Sequence, residues 1–273
     1  MDFLPHFRRE IQKFEAVARQ VTDAPPVPSC PGWSMADLVM HLGGVHRGIV
    51  QLVEDKRQGF PDMSDLGFLK LPDDLSGWPD PARAPNLGPM PPDLCDWFAE
   101  GAAELAALFA ARTADEPAWT WSAEQTVGFW LRMQTVEAAS HRWDAQLAVG
   151  EPEPIDRELA ADAVAQTFEV MVPARRAWTQ APPGAGESYL FRQSDGDGVW
   201  AVRFDGAAIT YEAGEHPAEA AEHAGEVGAH AVEADGTASD LMLFLWHRIG
   251  TDTLRITGDR SLLDRYFVLV PPV

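Results

Sequence analysis

Apolar residues recur at three- and four-residue spacing through the first two thirds of the chain, and the pattern turns to alternation in the last third. The helical stretches predicted by that period are Phe3 to Val21, Ser34 to Lys56, Pro92 to Arg112, Thr126 to Val149 and Asp156 to Trp178. The first is stopped by A24-P-P-V-P28. Between the second and third, Gly59 to Pro92 is rich in Pro, Gly and Asp and reads as a long loop with one short turn. A loop of that length in a compact domain is usually functional or mobile, and this one is expected to cover the mouth of a site. Beyond A181-P-P-G-A-G-E187, the stretch V199-W-A-V-R-F-D-G-A-A-I-T-Y-E212 alternates about Asp205-Gly206, a type I′ hairpin signal. A strand at His230 to Glu233, a helix from Thr237 to Arg248, a strand at Leu254 to Thr257 and a last short helix from Asp259 follow. The expected fold class is therefore α plus α+β. A four-helix bundle fills residues 1–155, and a smaller α+β domain with its connecting helix fills 156–273.

The fourth helix carries the chemistry. At roughly 100° per residue, Trp130, Met133, Glu137, His141, Asp144 and Ala148 fall in a wedge of about 80°, with Arg132 and Arg142 pointing away. A carboxylate and an imidazole thus sit one turn apart in a stripe that faces the core. An unpaired buried carboxylate is costly, so Glu137 needs a partner: a base on a neighbouring helix, or a cation. Glu and His at this spacing are two common zinc ligands, presented as H-E-x-x-H helices present theirs.

A third ligand has to come from another element. In P31-G-W-S-M-A-D-L-V-M-H-L-G-G-V-H-R47, Ser34 can N-cap a helix, and Asp37 completes a capping-box analogue. His41 and His46 flank the apolar stripe of that helix on opposite sides, by roughly 70° each, so periodicity does not choose between them. Either is equally readable as a core-edge imidazole hydrogen-bonded to a neighbour. Asp144, one turn beyond His141, is placed either to orient that imidazole or as a surface-edge acid.

Composition narrows the function classes. A net charge of -21 disfavours nucleic-acid and anionic-membrane partners, which need a basic face. No apolar run approaches the roughly 20 residues that span a bilayer, and M1-D-F-L-P-H-F-R-R-E10 lacks a signal-peptide core, so the expected location is the cytoplasm. With two cysteines only, Cys30 and Cys95, neither a disulfide framework nor a Cys-rich zinc knuckle is available, and both read as small buried hydrophobes. His216, His223 and His230 recur at intervals of seven, but Pro217, Gly225 and Gly228 interrupt any helix there, so an acidic solvated connection is expected.

Three segments carry a family resemblance. The turn P31-G-W-S34 with a histidine eight residues after its Trp, the helix E137-A-A-S-H-R-W-D144, and D235-G-T-A-S-D-L-M-L-F-L-W-H-R248 with T257-G-D-R-S-L-L-D-R265 occur in one order along most of the chain. They resemble the mycothiol-dependent maleylpyruvate isomerase family, part of the DinB-like group. The resemblance implies His41 rather than His46, with Glu137 and His141, as ligands of Zn2+ with an open position for a low-molecular-weight thiol, mycothiol. It implies an isomerase in which the thiolate adds to an electron-poor double bond, the single bond rotates, and elimination restores the alkene. The partners implied are the thiol and a small-molecule electrophile, and the C-terminal domain is expected to be sterol-carrier-protein-like. Other readings are a mycothiol S-transferase acting on an electrophile, and a non-enzymatic metal- or ligand-binding protein. An Ala-rich, Arg-over-Lys composition is consistent with an actinobacterial source. A dicarboxylate such as maleylpyruvate calls for arginines, of which Arg47, Arg192, Arg203 and Arg248 are available.

Overall fold

The computed structural model describes residues 1–62, 65–214 and 231–272. These divide into two compact units, Met1–Glu153 and Pro154–Val273. The first is a bundle of α1 (Phe3–Ala18), α2 (Met35–Glu54), α3 (Leu94–Ala111) and α4 (Val127–Ala148). α1 packs on α4 and α3, and α2 packs on α3 and α4. Each helix begins close to where its sequence signals it. Ser34 accepts from the Asp37 amide while Asp37 accepts from the Ser34 amide, a complete capping box, and Thr126 accepts from the Phe129 amide. Gly150 at φ 84 ends α4 in the left-handed conformation that a helix stop requires.

The connection before α3 is more ordered than a loop with one turn. It contains 3-10 turns at Leu66–Leu69 and Pro81–Arg83, and the two-residue β2 (Gly88–Pro89) pairs with β1 (Asp23–Ala24). Trp97 Nε1 donates to Leu69 O at 2.8 Å, and Lys70 bonds Glu104, so this connection is pinned to α3. α4 is buried on nearly every side, and Arg142, which points away from the Glu137 stripe, meets α1 there and not solvent. Its side chain is 1% exposed and pairs with Glu10 of α1 at 2.8 Å, because α1 covers the face opposite the Glu137 stripe.

In the second unit, the single helix predicted over Asp156 to Trp178 is broken into Arg157–Gln166, a π turn at Thr167–Met171, and Val172–Thr179. Pro173 has no N–H to donate back and crowds the preceding turn, and the wider π turn lies just ahead of it. The sheet has the order β5-β4-β3-β6-β7, formed by β3 (Gly184–Gln193), β4 (Val199–Gly206), β5 (Ala208–Gly214), β6 (Ala231–Gly236) and β7 (Arg255–Gly258). β3 and β6 are parallel, and the other pairs are antiparallel. The hairpin turn falls one residue later than predicted. Asp205 pairs with Ala208, which leaves Gly206, at φ 59, as the first central residue, so the turn is not the Asp-Gly type I′ arrangement. Tyr189, Phe191, Phe204 and Tyr266 form an aromatic cluster, and helix Arg157–Gln166 packs on helix Ala238–Leu245. Among the described residues, no helix is long and apolar enough to cross a membrane.

Candidate metal centre

α2 and α4 bring His41, Glu137 and His141 together. Glu137 Oε1 lies 3.3 Å from His41 Nε2 and 3.3 Å from His141 Nε2, and the donor atoms of all three residues lie within 4.8 Å of one another. Ligand atoms about 2.0–2.1 Å from a tetrahedral zinc stand roughly 3.3 Å apart, so both observed separations suit such an ion. The site is graded in exposure. His41 is half-buried at 32%, Glu137 is 17% exposed, and His141 is 6% exposed. One side of the donor set is therefore open to solvent, and the other is sealed.

The sealed side is an anchored hydrogen-bond chain. His141 Nδ1 donates to Asp144 Oδ2 at 2.9 Å, which presents Nε2 to Glu137. Asp144 is fully buried, so of the two readings of this residue its position matches the partner of an imidazole and not a surface acid. Ser29 Oγ donates to Asp144 Oδ1 at 2.6 Å, and Cys30 Sγ donates to Oδ2 at 3.3 Å. Cys30 is thus a half-buried hydrogen-bonding thiol and not the buried hydrophobe expected, whereas Cys95 is buried as expected. Nothing in the helical periodicity points to Ser29 or Cys30. Their position just before the P31-G-W-S34 turn is the one signal available.

Electrostatics follow from this packing. Burial alone would raise the Glu137 pKa, but hydrogen bonds from His141 and His41 outweigh it and hold the carboxyl well below its usual range. Burial works against an imidazolium at His141, and hydrogen bonds to Asp144, Cys30 and Glu137 overcome it, leaving that pKa well above the ordinary value. The indole of Trp33 lies 4.8 Å from the His41 ring and is stacked at 6.4 Å from the His141 ring, so the turn ahead of α2 also supplies a wall of the site.

His46 is placed elsewhere. It is fully buried between Phe7 at 5.5 Å and Phe98 at 5.6 Å, and neither ring nitrogen has a hydrogen-bond partner among the described residues. The helical angle left His41 and His46 equivalent; their neighbours separate them, since His41 meets α4 and His46 meets α1 and α3. Of the four arginines available for a dicarboxylate, Arg47 is 3% exposed and committed to Trp97 O at 2.6 Å. Arg192 pairs with Glu233 at 2.6 Å, Arg248 donates to Trp246 O, and Arg203 is exposed. His216, His223 and His230 lie outside the described residues.

Two solved structures resemble the chain over nearly its whole length. One is a crystal structure of mycothiol-dependent maleylpyruvate isomerase, 12% identical with a TM-score of 0.60, covering 94% of this chain and 93% of that one. The other is of a histidine-to-alanine mutant under the same name, 12% identical with a TM-score of 0.58 and the same coverage. At this identity the likeness speaks to the fold. No curated protein matches the chain in sequence. The family model "Mycothiol maleylpyruvate isomerase N-terminal domain" matches residues 7–146 and "MDMPI C-terminal domain" matches residues 158–265, so the chain belongs to the mycothiol maleylpyruvate isomerase family.

Proposed function

We propose that this protein is a metal- and thiol-dependent isomerase of a small electrophilic alkene of the maleylpyruvate class, with His41, Glu137 and His141 holding zinc and mycothiol as the thiol. The observation that carries the reading is the position of Glu137 Oε1, 3.3 Å from the Nε2 atoms of two histidines on different helices. When bound, zinc with three protein ligands and an open position lowers the pKa of an incoming thiol and holds it as a thiolate. The chain's own residues prepare that site. Asp144 accepts a hydrogen bond from Nδ1–H of His141, which fixes the ring with Nε2 on the Glu137 side as the atom that would bind the ion. Glu137, held anionic, offsets the charge of a divalent ion. Trp33 places an apolar wall beside His41, which limits water on the half-buried side. Membership of the family supports the substrate class and the thiol.

Elemental analysis of the full-length protein tests the ligand set: stoichiometric zinc is expected, with loss in His41→Ala, Glu137→Ala and His141→Ala. Retention of metal in all three variants sinks it. Turnover of a cis-alkene to its trans isomer only when mycothiol is added, with the thiol unconsumed, supports the isomerase. Accumulation of a thioether makes the protein a transferase, and metal binding without any thiol-dependent turnover makes it a binding protein.

A further inference from the structure

We infer that Ser29 and Cys30 are positioning residues for the metal-binding imidazole: by donating to both oxygens of Asp144 they lock the carboxylate that in turn locks the His141 ring. The inference rests on the ligand set proposed above and extends it to a turn on which no helix periodicity bears.

Two soft torsions have to be fixed for His141 to aim Nε2 at a metal. Rotation of an imidazole about χ2 is broad and roughly two-fold, and so is rotation of an Asp carboxylate. A single Nδ1 to Oδ2 hydrogen bond couples these torsions without fixing either. Here Oδ2 receives His141 Nδ1 at 2.9 Å and Cys30 Sγ at 3.3 Å, while Oδ1 receives Ser29 Oγ at 2.6 Å. Donors on both oxygens set the plane of the carboxylate, and that plane sets the ring. The Ser29 contact has the length of a charge-assisted O–H···O⁻ bond, whereas a thiol is a weak donor, so Ser29 carries more of the constraint.

The donors sit on a stiff support. Cys30 N donates to Val27 O at 3.1 Å, Trp33 N donates to Cys30 O at 3.0 Å, and Val27 N donates to Trp33 O at 2.9 Å, closing the turn on itself. Gly32, at φ 86, allows the chain to reverse there. The same turn runs directly into the Ser34 cap of α2, which presents His41 seven residues later. One turn therefore sets both the orientation of His141 and the start of the helix that bears His41, although Ser29 and Asp144 are 115 residues apart in sequence.

A competing arrangement uses the same atoms. Cys30 Sγ and donor atoms of His141 and Asp144 also lie within 4.8 Å of one another, so a metal taking this triad would make Cys30 a ligand. Substitution with Co2+ separates the two roles, because a thiolate ligand adds a sulfur-to-cobalt charge-transfer band that a donor to a carboxylate does not.

The test is competition of Zn2+ and Co2+ between a chromophoric chelator and the full-length protein, in the wild type, Ser29→Ala, Cys30→Ala, Cys30→Ser and Ser29→Ala/Cys30→Ala. Loss of outer support for a metal-ligating histidine costs about 10–100-fold in affinity, and that range is expected for the double variant, with Ser29→Ala the larger single effect and Cys30→Ser close to the wild type. The Co2+ ligand-field bands should broaden in the double variant and be restored in Cys30→Ser paired with native Ser29, while thermal unfolding of the metal-free forms stays together. Equal affinities and spectra in all five proteins overturn the positioning role and leave the ligand set standing. A charge-transfer band that disappears in Cys30→Ala overturns it in favour of Cys30 as a ligand. Absence of metal binding in the wild type overturns both the ligand set and the positioning built on it.

Discussion

Arg142 Nε donates to Glu10 Oε2 at 2.8 Å across the interface of α1 and α4, and the two side chains are 1% and 2% exposed. The guanidinium also donates to Gln146 Oε1 at 2.7 Å and to Glu153 O at 2.6 Å, so Arg142, the residue after His141, ties together α1, α4 and the chain leaving α4. Removing one partner of a buried pair leaves the other charge without compensation, which costs about 3–5 kcal/mol. Glu10→Leu is expected at the lower end of that range, because the Gln146 and Glu153 acceptors remain. Urea unfolding at neutral pH checks it, and a loss below about 1 kcal/mol would show the pair to be dispensable. Glu10→Leu with Arg142→Met should recover part of the loss, since replacing both members of a buried pair by apolar groups is often neutral.

His46 should be a liability to stability. Its imidazole is fully buried, with both nitrogens unpartnered among the described residues, and burial pushes its pKa down to about 3, the charge on Glu137 opposing and His41, His141 and Arg47 reinforcing. In the unfolded chain the ring titrates near 6.5. Between these values the unfolded state binds the proton and the folded state does not, so stability falls as pH drops from about 6.5 towards 3. His46→Leu removes the orphaned polar atoms and is expected to stabilise by about 1–3 kcal/mol at neutral pH, and by more at pH 5. Chemical denaturation at the two pH values checks it. A substitution that destabilises at both would show that the ring has a hydrogen-bonding role.

Much of the helical unit is legible because its signals are local. The Ser34 to Asp37 spacing, the helix beginning at about Thr126 and the i, i+4 placement of Glu137 and His141 need nothing beyond one helix, and the capping box and the helix start are found where they are expected. The partners of those residues are not local. His41 and His46 are symmetric about one stripe, so periodicity leaves them equivalent; the family resemblance names His41, and the neighbouring helices are what separate the two physically. Ser29 and Cys30 reach Asp144 through tertiary structure alone. In the second unit, β3 has no periodic signal in the sequence, although it is the central strand. It opens in P182-P-G-A-G-E187, which reads as a turn, and Tyr189, Leu190 and Phe191 are all buried in succession because the strand is covered on both faces. Without alternation there is no period to detect.

Gly43 should tolerate no side chain. A Cβ there would collide with the ring of Trp97, which is itself held by Leu69 O and covered by the Arg47 guanidinium at 4.9 Å. With the indole held by these contacts, Gly43→Ala is expected to separate α2 from α3 or displace the ring, at about 1–3 kcal/mol despite the better helix propensity of Ala. Because Gly43 is two residues from His41, metal affinity should fall along with the unfolding midpoint. A variant of unchanged stability would mean that the α2–α3 contact is loose enough to absorb a methyl group.

The long connection before α3 is fastened at Asp37, one turn ahead of His41. Asn86 Nδ2 donates to Asp37 Oδ1 at 2.5 Å, and the Asn86 amide donates to Oδ2 at 2.9 Å, while Ser34 donates its amide and hydroxyl to the same oxygen. Burial would raise the Asp37 pKa, but the bonds from Asn86 and Ser34 outweigh it and hold the carboxyl below its ordinary value. A depressed folded pKa means that the Asp37 contribution is fully present above the unfolded value, near 3.9, and is lost as pH falls through the folded one. Asn86→Ala should therefore cost about 1.5–3 kcal/mol at neutral pH, the worth of a hydrogen bond to a charged group, and the gap from the wild type should close as Asp37 becomes protonated. Asp37→Asn should carry its loss at every pH. Urea unfolding of the three proteins between pH 7 and pH 3 checks this. A gap between the wild type and Asn86→Ala that stays constant or widens in acid would mean that Asn86 is held by its backbone contacts and not by the charge on Asp37.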